Sequence, residues 1–320
     1  MLISFIITAY NLPEGMVHEC IDSVLSVPLD TCEREIILID DGSDVSVYSE
    51  IEDIKDQVVF MRQANSGLSA ARNCGLSIAS GDYIQFVDGD DFLLPDCYWQ
   101  CIKLLEEKPD IVSFNFTDDY ALLTNGKRSS ITLRHNAEKQ KLYSGTAYMS
   151  AHNLRAAACG YIFKKQLADS LRFTPGIFHE DEEFTPLLFL RADRIVFTNI
   201  VTYFYRPRQG SIIKSNDSEH ISKRLNDFFQ VIVRLRNAAS NMPADKRRAL
   251  MRRTDQLSMD YIYNVMKLTG SSKCLEQNIE KMRRYGLFPL AKHNYTFKYS
   301  VFRIISQTRI GRLAALKTIR

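Results

Sequence analysis

No stretch of this sequence approaches the roughly 18 consecutive apolar residues that a membrane-spanning helix needs. Cysteine is sparse and scattered. There are seven, at 20, 32, 74, 97, 101, 159 and 274, with no CxxC pair and no Cys/His cluster at zinc-ligand spacing. That pattern argues against a disulfide framework or a structural zinc and fits reduced thiols in a cytosolic chain. Neither GxGxxG nor GxxxxGKS/T occurs, so a bound phosphate would have to be neutralised by side chains or a metal. No Ser/His/Asp or Cys/His set points to a covalent intermediate. Acidic residues are missing from the last forty positions, which hold ten Lys or Arg. The other 280 residues hold 31 basic against 38 acidic, a net of −7. An acidic body with a basic tail makes a poor nucleic-acid groove and suits an enzyme with a cationic docking element.

What is present is a chain of 320 residues, 45% hydrophobic and 25% charged, long enough for one large or two ordinary domains. Its apolar start, residues 2–9, has no basic flank and runs into Tyr10-Asn11-Leu12-Pro13, so it reads as a strand rather than a signal peptide. Val17, Cys20, Ile21, Val24 and Leu25 follow at helical spacing. Residues 35–39, 58–61 and 82–87 predict three more strands, with a helix over 68–79 between the last two. Continuous apolar strands separated by helices predict a parallel sheet covered on both faces, a doubly wound α/β domain. Further on, the pattern predicts a helix over 95–107, a strand over 111–116, a helix over 182–190 and strands over 194–198 and 200–205. Helical patterning dominates from about 216 to 285. The polar stretch 118–142 is the expected acceptor-facing hairpin or loop.

Polar residues fall where those strands end. Strand one ends in Thr8-Ala9-Tyr10-Asn11 and strand two in Asp40-Asp41-Gly42-Ser43; Asn65-Ser66-Gly67 follows strand three, and Asp88-Gly89-Asp90-Asp91 closes strand four. In an open parallel sheet the carboxyl ends share one edge, and ligands bind there. Asp88-Gly89-Asp90 suits Mg²⁺ or Mn²⁺ beside a diphosphate, because such ions take one or two carboxylates plus phosphates and water. Arg72 is either a diphosphate contact or a surface arginine paired with a carboxylate. His179-Glu180-Asp181-Glu182-Glu183-Phe184 is either a solvated helix start or a set holding one working carboxylate. Arg206 and Arg208, two apart on an extended segment, could clamp a diphosphate.

Taken together, Thr-Ala-Tyr-Asn at 8–11, Asp-Asp-Gly-Ser at 40–43, Asn-Ser-Gly-Leu-Ser-Ala-Ala-Arg-Asn-Cys-Gly at 65–75, Gly-Asp-Tyr-Ile-Gln-Phe-Val-Asp-Gly-Asp-Asp at 81–91 and His-Glu-Asp-Glu-Glu-Phe at 179–184 resemble the family 2 glycosyltransferases of GT-A fold. The resemblance covers roughly residues 1–212. It implies a catalytic domain there, with a helical extension over 213–286 like that of bacterial enzymes of polysaccharide or lipopolysaccharide synthesis; the residues themselves add a basic amphipathic tail over 287–320. Thr8, Tyr10 and Asp40 would then line the nucleoside pocket, Asp40 accepting from the base imide N–H, while Asp41 and Ser43 brace that loop. Asn65, Gly67, Arg72 and Gly89 would belong to the donor site. Asp88 would contact the ribose and join Asp90 at the metal, Mn²⁺ or Mg²⁺. Asp181 would be the catalytic base, with Glu180 second in line, and Arg206, Arg208 and Ser211 would close over the diphosphate. The resemblance also implies inversion at the anomeric carbon, with a nucleotide-sugar donor (UDP favoured over GDP and dTDP) and a glycan or lipid-linked sugar acceptor.

Two other classes compete. A sugar-phosphate nucleotidyltransferase would carry a Gly-rich, Arg-containing loop after strand one, where this chain has Asn11-Leu12-Pro13-Glu14-Gly15. A non-catalytic nucleotide-sugar-binding partner subunit would tolerate loss of Asp88, Asp90 or Asp181, all of which are present. In the tail, Tyr299, Val301, Phe302, Ile304 and Ile305 form one apolar group, and Ile310, Leu313, Ala314, Leu316 and Ile319 a second. Lys298, Arg303, Arg309, Arg312, Lys317 and Arg320 lie around them, and Gln307-Thr308 with Gly311 divides the segment in two. This predicts either docking on an anionic membrane surface, at the inner face of the cell membrane, or packing onto the helices.

Overall fold

The computed structural model describes residues 1–120, 141–207 and 217–319. Contacts group the chain into two units. The first comprises Met1–Gly145, Ala156–Gly176 and Leu187–Gln209, and the second Thr146–Arg155, Ile177–Pro186 and Gly210–Arg320.

The first unit is built on a nine-stranded sheet. Strands β1 (Ile3–Ala9), β2 (Arg34–Asp40), β3 (Val58–Arg62) and β4 (Tyr83–Asp88) lie parallel in the order β3-β2-β1-β4. The sheet continues through β8 (Tyr161–Lys164), β6 (Ile111–Thr117), β9 (Ile195–Phe204) and β5 (Phe92–Leu93), with β7 (Leu142–Tyr143) also on β9. Here β8 runs antiparallel to both β4 and β6, while β6 and β9 are parallel. All seven residues of β1 are buried, and the alternation divides them between two layers. Ile3, Phe5 and Ile7 join the apolar cluster formed with helices α1 (Met16–Leu25) and α3 (Pro95–Lys103). Ile6 meets helix α2 (Leu68–Ile78) at Gly75, where an added Cβ would stand 2.3 Å from the Ile6 Cγ2. Only glycine allows that approach. Each fully buried Ile or Phe is worth about 1.5–3 kcal/mol, so the central strands carry much of this unit's stability.

The turn from β2 to its neighbours and the return to β4 place β1 between strands reached in opposite directions, which opens a crevice at the carboxyl ends of β1, β2 and β4. One expectation changes here. The strands expected at 194–198 and 200–205 are one strand, β9: exposed Asn199 marks a register shift against β6, not a break. The short strands β5, β7 and β8 leave no periodic trace in the sequence.

The second unit is helical, with α6 (Ser218–Ser240), α7 (Ala244–Thr269), α8 (Ser272–Arg284), α9 (Phe297–Gln307) and α10 (Arg309–Ile319) joined by the shorter α4 (Gly145–Ala151) and by the start of α5 (Glu180–Phe189). Phe228, Phe229, Ile232, Leu257, Tyr261, Val265, Leu275 and Ile279 fill its core. Two stretches expected inside the 1–212 domain belong here, and buried arginines explain why. Arg252 donates to the carbonyls of Met149 (3.3 Å), Ala151 (3.4 Å) and His152, and Arg253 to that of Leu154 (2.8 Å). Arg253 also pairs with Glu182, and Arg234 with Glu183 at 2.9 Å. The tail joins the same unit in part. Tyr299 and Leu316 are buried, and Arg312 is held by Glu276 at 2.5 Å instead of lying among the surface cations.

Candidate active site

The crevice in the first unit is assembled loop by loop. Asn11, at φ 45°, follows β1. Its N–H donates to the Ser43 hydroxyl at 3.0 Å, and its side chain accepts from the Asp44 N–H at 2.8 Å, which locks the β1 and β2 termini together. Thr8 is buried beside them, while the Tyr10 ring is 46% exposed at the mouth. Asp41 braces the next loop. Its Oδ1 accepts from Gln63 Nε2 (2.7 Å) and the Ser66 N–H (3.0 Å), its Oδ2 from the Gly67 N–H (2.8 Å). This fixes Asn65, Ser66 and Gly67 ahead of α2.

Asp40 is fully buried and only half satisfied. Oδ1 accepts from the Ser43 N–H at 2.9 Å. The Arg62 Nε stands 3.4 Å from Oδ2, near enough to balance its charge, yet no hydrogen bond reaches that oxygen. A buried acceptor without a donor costs about 1–3 kcal/mol, the kind of deficit a ligand N–H can repair.

The carboxylates after β4 crowd together. Gly89 lets the turn press on β1: its N–H donates to the Thr8 carbonyl at 2.9 Å, and an added Cβ would stand 2.8 Å from that oxygen. Arg72 is buried, donates to Asp88 Oδ1 at 2.7 Å and lies 5.4 Å from the Phe173 ring centroid. Of its two readings, the carboxylate pair is present, but inside the crevice and not on the surface. Asp91 accepts from the Tyr203 hydroxyl (2.8 Å) and the Arg206 N–H (2.8 Å). Arg206 Nε also donates to the Asp90 carbonyl (2.9 Å), and its guanidinium reaches Glu19 (2.5 Å). Burial, reinforced by Asp88 and Asp90, pushes the Asp91 carboxyl up, against those two hydrogen bonds. Burial and the same three aspartates push the Cys20 thiol well up. Concentrated negative charge of this kind favours a cation.

Among the described residues no three His, Cys, Asp or Glu side chains gather into a closed metal cage. An ion beside a diphosphate does not require one. Asp88, paired with Arg72, and Asp90, two residues on in the same turn, offer the one or two carboxylates that such an ion takes from a protein.

Asp181 and Glu180 stand in the second unit, in the first turn of α5. All four acids of the run are half-buried. Glu182 and Glu183 are bound by Arg253 and Arg234, so this is not a solvated helix start; Asp181 Oδ1 accepts from the Glu182 N–H at 2.8 Å. His179, before the helix, takes φ 65° and stacks on Phe228 at 4.6 Å. Burial, with Arg224 beside it, pushes its imidazole down to about 4.

The structure thus brings together Thr8, Tyr10, Asp40, Asn65, Gly67, Arg72, Asp88, Gly89, Asp90 and Arg206 along one sheet edge. Arg208 and Ser211 lie outside the described residues, as does 121–140 of the expected acceptor-facing segment. The sequence alone points to no role for Asp91, Tyr203, Arg62, Phe173 or Glu19. The doubled aspartate at 90–91 was a signal for the first; nothing in the spacing marks the others.

Comparison with known proteins gives the following. The profile described as glycosyl transferase family 2 matches residues 4–164, half of the chain. Glycosyltransferase GlyA of Streptococcus pneumoniae is 27% identical over 271 residues, covering 80% of this chain but only 38% of GlyA's own length. EpsJ, a Bacillus subtilis glycosyltransferase, is 31% identical over 238 residues, 70% of this chain and 67% of EpsJ. Among solved structures, S. aureus TarS 1–349 in complex with UDP-GlcNAc superposes with a TM-score of 0.63 at 16% identity, over 99% of this chain and 92% of that one. That likeness establishes the fold as the expected GT-A type.

Proposed function

The chain belongs to glycosyl transferase family 2, and from that premise we propose that it is a working, inverting transferase that moves a sugar from a UDP-sugar to an acceptor hydroxyl in cell-surface polysaccharide or glycolipid synthesis. The observation that carries the reading is the convergence of Asp40, Arg72, Asp88, Asp90, Asp91 and Arg206 on the carboxyl ends of β1, β2 and β4. That edge offers a base-binding acceptor, an exposed ring, carboxylates and two guanidiniums in one crevice, the complement a nucleoside diphosphate requires. The choice of UDP draws support from TarS, whose structure holds UDP-GlcNAc.

In this account Tyr10 stacks against the base, and Asp40 Oδ2 accepts its imide N–H once the exposed Arg62 side chain moves aside. Asp88 holds the ribose, while Arg72 keeps that carboxylate in place. Asp90, aided by Asp88, holds Mn²⁺ or Mg²⁺, which when bound supplies charge to balance the leaving diphosphate. Arg206, Arg208 and Ser211 add donors to the diphosphate. Asp181 takes the proton from the acceptor hydroxyl as it attacks in line; Glu180 is the alternate. An alcohol is too weak a nucleophile at neutral pH to dispense with that base.

Among the described residues no helix is long and apolar enough to cross a membrane. The tail supports docking at an anionic surface: Phe297 (85%), Ile310 (83%) and Ile304 (61%) are exposed, with Lys298, Arg309 and Lys317 exposed nearby. The test of the whole reading is turnover. UDP-, GDP- and dTDP-sugars are incubated with the chain and Mn²⁺, and release of the nucleoside diphosphate is measured with and without lipid-linked acceptors. Release from UDP-sugars is expected. Tight donor binding without release under any condition would favour the non-catalytic partner subunit.

A further inference from the structure

A cleft of about 490 Å³ opens in the helical unit between α6, α7 and the segment 286–295, a size that suits a small ligand. Three guanidiniums line it, Arg236, Arg248 and Arg252, with a single carboxylate, Asp255. Three arginines elsewhere in this unit are answered by carboxylates: Arg234 by Glu183, Arg253 by Glu182, Arg312 by Glu276. None of the three cleft arginines has such an ion pair among the described residues. Asp255 Oδ2 accepts from the Tyr295 hydroxyl at 2.6 Å. Arg252 is committed to the carbonyls of Met149, Ala151 and His152 and lies 5.0 Å from the Tyr295 ring centroid, a fixed positive charge in the wall. Arg236 spends an N–H on the Gly286 carbonyl. Arg248, one turn before Arg252, is exposed and makes no hydrogen bond or ion pair among the described residues. Leu287 and Pro289 supply an apolar side.

We propose that this cleft binds a phosphate-bearing segment of the acceptor, a polyol phosphate or sugar phosphate, with Arg248 and Arg236 donating to the phosphate. A guanidinium presents paired N–H donors that match phosphate oxygens, which an ammonium does not. Leu287 and Pro289 face the ligand's carbon skeleton, and Arg252 adds positive potential without leaving its carbonyls. Calling the ligand an acceptor rests on the transferase reading; binding to the cleft does not.

The test titrates glycerol 3-phosphate into the full chain by calorimetry, with glycerol as control and UDP plus Mn²⁺ as a separate titration. The wild type should bind the phosphate ester and not glycerol. Arg248→Gln should weaken that binding about tenfold, and adding Arg236→Gln should weaken it further, with UDP affinity unchanged in both. This result upholds the cleft even if no sugar transfer is ever detected, whereas failure of UDP to bind would count against the transferase reading alone. Equal binding by wild type and variants, or no binding of the ester at millimolar concentration, overturns the proposal. Binding to phosphatidylglycerol vesicles that Arg248→Gln abolishes, without binding of the soluble ester, would assign the phosphate to a lipid headgroup and overturn it as well.

Discussion

In the α/β unit backbone N–H groups and a hydroxyl answer Asp40, Asp41 and Asp91 along one sheet edge, where Arg72 also pairs with Asp88. Asp40 and Asp41 take N–H groups from their own and the adjoining loop, and Asp91 takes Tyr203 and the backbone of Arg206 at the end of β9. In the helical unit three carboxylates are answered by arginine side chains from other helices: Glu182 by Arg253, Glu183 by Arg234, Glu276 by Arg312. Strand order by itself gathers polar groups at the carboxyl edge of a parallel sheet. Helices gather nothing at one edge, so these three carboxylates rely on ion pairs between helices, and each buried one leaves an uncompensated charge if a partner is lost.

The largest expected effect separates chemistry from bracing within one acidic run. Asp181→Asn should leave donor affinity intact and lower turnover by about 10²-fold or more. An active Asp181→Asn beside an inactive Glu180→Gln would reassign the base. Next comes the ion-pair side of the comparison. Arg253→Met strands Glu182 next to Asp260, whose own carboxyl burial already pushes up to about 6. Urea unfolding should show a loss of about 3 kcal/mol or more; a loss below about 1 kcal/mol would mean the pair is ornamental.

His179 gives an effect of similar or smaller size with a defined pH window. Its folded value of about 4 lies below the ordinary 6.5, so the unfolded chain binds the proton first. Stability is therefore complete above pH 6.5 and falls as the pH drops from 6.5 towards 4, by up to about 3 kcal/mol. His179→Gln should flatten that part of the stability–pH curve. A curve of unchanged slope would show that other groups produce it. The smallest effect belongs to the sheet edge. Asp41→Asn keeps an acceptor but weakens the bonds from Ser66 and Gly67, and should cost about 1–2 kcal/mol while raising hydrogen exchange in residues 65–67. A variant as protected there as the wild type would show that Asp41 does not brace the loop.

The same contrast explains what could be read in advance. Strands β1, β2 and β4 and helices α1 and α2 were legible because burial on both faces imposes continuous apolar runs and a helical stripe. That polar residues gather at their ends followed from strand order, while the donor roles proposed for them came from the family resemblance alone. Arg62 over Asp40, and Phe173 under Arg72, were not legible, because a partner brought in by tertiary contact leaves no periodic mark. The same holds for residues 146–155, drawn to the helical unit by Arg252 from about a hundred residues away. The tail was half legible: its division at 307–308 is present, but which apolar residues face inward depends on Glu276 and the helices it meets.

If the proposed reading is right, the carboxyl edge of β1, β2 and β4 binds a nucleoside diphosphate with a divalent cation at Asp90. Calorimetric titration of UDP into the wild type and Asp90→Ala, each with and without Mn²⁺, tests it directly. The wild type should bind UDP in a manner that depends on Mn²⁺, and Asp90→Ala should lose that binding. Equal UDP affinity in all four titrations would contradict the reading.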